Sequence, residues 1–464
     1  MNDNILTKII ENKQRELVVR KKLLSLEHLK RNLAPSLKSL FDALNSEKSD
    51  FIFECKKASP SKGLLRKNYN LDKILSIYKD YASAISVLTD HRYFQGSFEH
   101  LKKVTRTAEQ PILCKDFFID IYQVYEARYF GADAILLMLS VLNDEQYRLL
   151  ASVAKEMKLD ILTEVHSDEE MKRAIHLDAK IIGVNNRNLK NLSINLNVTE
   201  KLIGNLKKSE HVNRIFISES GISNRQQVKR LSPLVNGFLI GSSIMSQKDI
   251  RQQCKKLIYG TTKICGLTNQ ESANVAFEQG AIYGGLIFYS KSPRYVDLYQ
   301  AKKIIDSVKL EYVGVFVNEP ERQLIDIASQ LKLNVIQLHG NENDEYIKTI
   351  KQALPQCEIW KAISIKNDAL GSECSNMNNQ NVDHYLLDSY DERLIGGSGK
   401  VFDWSKLTTI DTKDIILAGG INVNNIEQAN RLNTFALDIN SGVEDSPGLK
   451  NKNKIAEIFR ALRA

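Results

Sequence analysis

Ionisable residues fall at the ends of short apolar runs in this chain, and their pairing suggests proton chemistry. Glu54 and Lys56 lie two apart, on one face of an extended run, and opposite charges on an inward face call for a partner. Lys115, Glu164 and Glu219 end three further runs, and Asn185 and Arg187 end a fourth. A lysine beside carboxylates can be tuned to give a proton near neutral pH, and a glutamate beside it to take one. The competing reading of the Glu54–Lys56 pair is a structural ion pair closing the barrel top.

The second half repeats the pattern with other groups. Cys265, His339, Asp388 and Asp438 each end an apolar run, and Arg294 follows another. A lone Cys or His in such a place is often only part of a core. Glycine-bearing loops accompany both sets: Glu219-Ser220-Gly221 and Gly241-Ser242 in the first half, then Gly396-Gly397-Ser398-Gly399, Gly419-Gly420 and Asn440-Ser441-Gly442 in the second. Glycine lets the backbone approach an anion, so both halves read as phosphate binders.

Such groups converge only if the runs are parallel strands sharing one end. Eight runs occupy the first part: 51–57, 84–90, 111–117, 134–140, 160–166, 181–187, 214–221 and 237–243. Their starts are roughly 21 to 33 residues apart, room for a strand, a helix and two loops. The count restarts with 263–268, 283–289, 312–317, 335–340, 358–364, 384–390, 414–420 and 435–442. Two tandem (β/α)8 barrels are therefore expected, divided into 1–258 and 259–464, the first preceded by a helical extension over residues 1–48. A doubly wound sheet also alternates strand and helix but rarely needs eight near-equal units. Residues 367–381 read as a loop.

Composition narrows the function. The 464 residues suit two domains, and the net charge of +8 divides into roughly +12 before the boundary and roughly −4 after it. Lysines scattered over helical surfaces fit an anionic small substrate better than nucleic acid. Six cysteines without Cys-x-x-Cys or Cys/His clustering argue against a disulfide framework or zinc site, and no apolar run is long enough to span a membrane. A cytoplasmic protein, working as a monomer without a metal or other cofactor, is expected.

The motifs themselves are specific. Glu-Cys-Lys-Lys-Ala-Ser-Pro-Ser-Lys-Gly, Leu-Cys-Lys-Asp-Phe, Leu-Thr-Glu-Val, Gly-Val-Asn-Asn-Arg-Asn-Leu and Ser-Glu-Ser-Gly-Ile resemble those of indole-3-glycerol-phosphate synthases. That resemblance implies Lys115 as general acid in ring closure and Glu164 as the acid/base in dehydration. It also implies Lys56 at the substrate carboxylate with Glu54 and Asn185, Glu219 lining the site, and Arg187 supporting it. Ser59, Gly221, Gly241 and Ser242 would take the phosphate. Asn188 departs from the Asp usual there.

Lys-Ile-Cys-Gly-Leu-Thr, Ser-Pro-Arg, Gln-Leu-His-Gly-Asn-Glu, Gly-Gly-Ser-Gly-Lys-Val-Phe-Asp-Trp and Leu-Ala-Gly-Gly resemble phosphoribosylanthranilate isomerases over the remainder. The implied roles are Cys265 as general base and Asp388 as general acid in an Amadori rearrangement, with Arg294 on the anthranilate carboxylate. A fused enzyme for two successive tryptophan-biosynthesis steps follows, acting on phosphosugar-anthranilate substrates. The alternatives are another phosphosugar barrel pair, or a non-catalytic phosphate binder, which would keep the glycines and lose the ionisable strand ends.

Overall fold

The computed structural model describes residues 5–31, 33–188, 191–365, 377–389, 402–409 and 411–463, and it divides into two compact units, Met1–Leu257 and Ile258–Arg463. In the first unit, helices α1 (Ile5–Leu23), α2 (Leu26–Lys30) and α3 (Leu40–Ala43) precede a closed, all-parallel barrel. Its strands are β1 (Asp50–Cys55), β2 (Ala84–Leu88), β3 (Ile112–Lys115), β4 (Ala134–Met138), β5 (Asp160–Val165), β6 (Ile181–Asn185), β7 (Ile215–Glu219) and β8 (Gly237–Ile240). Closure comes from β1 pairing with β8, Phe51 opposite Phe238.

The second unit is another closed parallel barrel of β9 (Thr262–Ile264), β10 (Tyr283–Ile287), β11 (Glu311–Phe316), β12 (Val335–Leu338), β13 (Glu358–Ile365), β14 (His384–Ser389), β15 (Ile415–Leu417) and β16 (Ala436–Ile439). The expected strand starting at Lys263 ends early, at Ile264, because Gly266 adopts a left-handed φ of +68°. Cys265 thus stands just past the strand, its N–H donating to the Ile439 carbonyl (2.9 Å). The loop expected over 367–381 lies outside the described residues as far as 376.

Parallel strands are covered on both faces, so they read as nearly unbroken apolar runs. Ile52, Leu113, Leu136, Leu162, Ile217 and Leu239 are buried in one core cluster of the first barrel. Val313, Val335, Trp360, Leu386 and Ile416 do the same in the second. Trp404 is buried in the larger cluster of that unit, with Leu407 and Ile415. Loops become helices at polar caps: the side chains of Ser97, Ser167, Asn224, Asn269 and Asn343 each accept a main-chain N–H from the first turn. Each such cap contributes about 1 kcal/mol.

Among the described residues no helix is long and apolar enough to cross a membrane. Helix α1 departs from a simple amphipathic pattern, since Ile9, Lys13 and Leu17 share its buried face.

Candidate active sites

At the first barrel mouth the expected charged groups meet. Glu54 is paired with Lys56, which stands just beyond the end of β1. The Lys115 ammonium donates to Glu219 Oε2 at 2.6 Å and lies 4.0 Å from Glu54 Oε2. Burial pulls that ammonium down, but Glu219, Glu54 and Glu164 more than offset it, and the net shift is upward. Glu164 is pushed up to about 7 by burial and the nearby Glu219, against the opposing pull of Lys115 and a hydrogen bond with Asn185. Two groups of opposite type are thus poised to hold protons at neutral pH.

All of these groups but Glu219 line a cavity of about 320 Å³. Glu54, Lys56, Lys115, Glu164, Asn185 and Arg187 line its middle. Ser59, Ser220, Gly221, Gly241 and Ser242 line another part. Ser220 and Gly221 are both left-handed (φ +65° and +88°), and Gly241 leads into a one-turn helix, Ser242–Met245, whose first N–H groups have no intrahelical acceptor. Ser59 Oγ is buried and has no hydrogen-bond partner among the described residues. Apolar side chains complete the wall: Ile5, Leu6 and Ile9 from α1, with Phe94 and Phe117. An anion end, a charged centre and an apolar wall suit a molecule carrying phosphate, carboxylate and aryl groups.

Glu219 is not on the cavity surface; it is buried with its Oε2 on Lys115. Arg187 turns its Nη1 to the Leu192 carbonyl (2.9 Å), and its main-chain N–H to Asn185 Oδ1 (2.9 Å), bracing the loop after β6.

The second mouth is tighter, a cavity of about 60 Å³ lined by Cys265, Arg294, His339, Asp388, Asp438 and Ser441, with Gly419 and Gly420 at its edge. Lys263, fully buried, donates to Asp438 Oδ2 (2.8 Å) and Gln337 Oε1 (2.6 Å). Among the described residues Asp438 Oδ1 has no hydrogen-bond partner, and it is available to a ligand. Burial and the neighbouring Asp438 raise the Cys265 thiol, and Lys263 opposes them. Burial, then Asp438, pushes Asp388 up to about 7. Burial, with Lys263 and Lys361, pushes His339 down to about 4. The 3.6 Å approach of His339 Nε2 to Asp388 is therefore a contact of an uncharged imidazole and not an ion pair at neutral pH.

Arg294 spends Nε and Nη2 on Glu444 (2.8 to 3.1 Å), which also accepts from Lys450 (2.7 Å). Nη1 makes no protein hydrogen bond among the described residues. Gly442 does not line the cavity: a Cβ there would lie 2.0 Å from the Ile421 carbonyl oxygen, so the residue allows two loops to meet. Gly397, Ser398 and Gly399 lie outside the described residues.

A family model described as indole-3-glycerol phosphate synthase matches residues 6–257, and one described as N-(5'phosphoribosyl)anthranilate (PRA) isomerase matches residues 262–461. Relatives named tryptophan biosynthesis protein TrpCF align over almost the whole chain. The Yersinia pestis protein is 46% identical over 99% of this chain and 94% of its own. The Salmonella typhi protein is 47% identical over 99% of both. That of Buchnera aphidicola subsp. Acyrthosiphon pisum is 47% identical over the full length of both. The chain belongs to the TrpCF family.

It is a bifunctional tryptophan-biosynthesis enzyme, with a synthase (lyase) barrel first and an isomerase barrel second. The alternatives of another phosphosugar pair or a non-catalytic binder find no support. Several residues around the two barrel mouths have no obvious mark in the sequence. Gly183 in the synthase barrel faces Glu219, and a Cβ there would lie 1.9 Å from Glu219 Oε1. Because a carboxylate can swing aside, Gly183→Ala is expected to fold but to displace the partner of Lys115. Synthase kcat should fall about 100-fold, the scale of a 1 Å misplacement. Wild-type synthase turnover in a folded Gly183→Ala protein would contradict this. Asn186 binds Ser218 Oγ and the Glu219 carbonyl (both 2.9 Å), locking β6 to β7. Lys263 is more legible, a charged strand residue two before Cys265.

Proposed function

We propose that the isomerase barrel converts phosphoribosylanthranilate to the carboxyphenylamino-deoxyribulose phosphate, and that the synthase barrel closes this product to indole-3-glycerol phosphate. In the isomerase, Asp388 gives its proton to the furanose ring oxygen as the bond from that oxygen to C1 breaks. Cys265 takes the proton from C2, and the resulting enol-amine becomes the aminoketose with no net gain or loss of atoms. The elevated Asp388 supports an acid role. Lys263 is the counter-charge for a Cys265 thiolate. Arg294 would hold the anthranilate carboxylate through Nη1, with Gly419, Gly420 and Ser441 at the phosphate, and His339 and Asp438 Oδ1 at sugar hydroxyls.

In the synthase, the aryl carbon bearing the carboxylate attacks the ketone while Lys115 protonates the carbonyl oxygen. Carbon dioxide leaves, its bonding pair restoring the ring, and water then leaves as the hydroxyl takes a proton and the adjacent methylene carbon gives one up, with Glu164 as the acid/base. Lys56, oriented by Glu54 and Asn185, would hold the substrate carboxylate, with Glu219 and Arg187 supporting. Ser59, Ser220, Gly221, Gly241 and Ser242 would bind phosphate. The observation that carries this reading is the Lys115 ammonium among three carboxylates beside an anion end and an apolar wall. Both residue sets come from one chain, which supports a working monomer, and the five described cysteines are free thiols, which supports a reducing cytosol.

The test is to give the purified chain phosphoribosylanthranilate alone and follow indole-3-glycerol phosphate by absorbance and mass. Accumulation supports both halves of the reading. Arrest at the aminoketose phosphate would refute the synthase half, and unchanged substrate the isomerase half.

A pH dependence follows from Glu164. Its folded-state value of about 7 lies above the ordinary glutamate value, so the fold keeps a proton that the unfolded chain gives up. Stability from this group is therefore present at low pH and lost as pH rises from the ordinary value through about 7. Glu164→Gln should flatten that loss in melting temperatures taken across this window, and remove the matching limb from the synthase pH–rate profile. An unchanged profile would exclude Glu164 as the titrating group.

A further inference from the structure

We propose that Lys13 is a positioning residue of the synthase reaction, one buried ammonium on α1 that gathers the three elements carrying the apolar wall of the substrate cavity. Its Nζ lies 2.7 Å from Asp116 Oδ1, 3.0 Å from Asp90 Oδ2 and 3.1 Å from Glu16 Oε2. One ammonium is thus ion-paired with three carboxylates. The side chains of Lys13, Asp90 and Asp116 are at most 1% exposed.

Each tie leads to a wall residue. Ile9 stands one turn before Lys13 on the same face of α1. Asp90 Oδ1 accepts the Tyr93 N–H (2.8 Å), capping the turn His91–Phe94 that delivers Phe94. Asp116 Oδ1 accepts the Phe117 N–H (2.8 Å), and its Oδ2 accepts from Thr89 (2.8 Å). The Phe94 and Phe117 rings lie 6.2 Å apart, centroid to centroid. Burial pulls Lys13 down, but Asp116 and Asp90 more than offset it and keep the ammonium charged.

A buried charge cluster is weak support for stability, because well-packed apolar residues often serve as well. Here its geometric result is specific: α1, the turn after β2 and the loop after β3 cannot shift independently. Ile9, Phe94 and Phe117 offer an aryl ring a preset slot. This inference rests on the synthase reading of the cavity.

The experiment uses the full-length protein and Lys13→Met. The KM for the aminoketose phosphate in ring closure is expected to rise about tenfold or more while kcat changes less. Inhibition of ring closure by inorganic phosphate, which probes the other end of the cavity, should be unchanged, as should isomerase turnover. A wild-type KM, or a KM that rises in step with weaker phosphate inhibition, would overturn the proposal. The double variant Lys13→Met with Asp90→Asn relieves the unpaired charge without restoring the tie, and it decides the question if Lys13→Met does not fold. A KM still raised supports positioning; a KM back at the wild-type value means that Lys13 only neutralised Asp90. Absence of ring closure in the wild type would instead refute the reading of the site.

Discussion

Lys115→Ala is expected to lower synthase turnover by about 1,000-fold or more, the upper range for a positioned proton donor, while isomerisation continues. The expectation follows from what surrounds the ammonium. Glu219 at 2.6 Å and Glu54 at 4.0 Å hold the ammonium in its charged form at the cavity, whereas Lys56 is committed to Glu54. The loss has a second part. Lys115 is one of the influences that hold Glu164 down, so its removal drives Glu164 further up and moves the remaining activity to higher pH. Breaking one side of a buried pair also costs about 3–5 kcal/mol, so melting should be followed alongside rate. The aminoketose phosphate, made by the intact isomerase barrel, should accumulate from phosphoribosylanthranilate. Ring closure at more than about a tenth of the wild-type rate would remove Lys115 from the acid role.

Cys265→Ala is the complementary case, with isomerase turnover falling about 100- to 10,000-fold for loss of a general base. Little else should change. The thiol is a small buried group just past β9, and Lys263 keeps its bonds to Asp438 and Gln337 without it. Ring closure of supplied aminoketose phosphate should therefore proceed at the wild-type rate, whereas phosphoribosylanthranilate should remain unchanged. Mixing this protein with Lys115→Ala should restore indole-3-glycerol phosphate after a lag, as the intermediate passes between molecules. Persistent isomerisation in Cys265→Ala would mean that another group, His339 or Asp438 first, takes the C2 proton.

Strand-end chemistry was legible because parallel strands are apolar almost throughout, so Glu54, Lys115, Glu164 and Glu219 stand out against their runs. Regular spacing likewise made both barrels readable. What escaped depends on partners distant in sequence. Gly183 is an unremarkable strand glycine until the Glu219 carboxylate is seen beside it. Lys13 stood in the apolar stripe of α1, a visible anomaly, but Asp90 and Asp116 belong to different βα units, and the extension gave no sign that it walls the cavity. Glu444 lies 150 residues from the Arg294 it orients. The close approach of Gly442 to Ile421 likewise involves a partner distant in sequence.

The chain has only two tryptophans, Trp360 and Trp404, and both are buried in the isomerase barrel. Its intrinsic indole emission is therefore a built-in optical label for one half of the enzyme. A red shift on adding denaturant registers opening of the second barrel alone, while far-ultraviolet ellipticity registers both. Two curves that separate would show the halves melting as independent units, and two that coincide would show a single cooperative transition, with no engineered fluorophore in the protein.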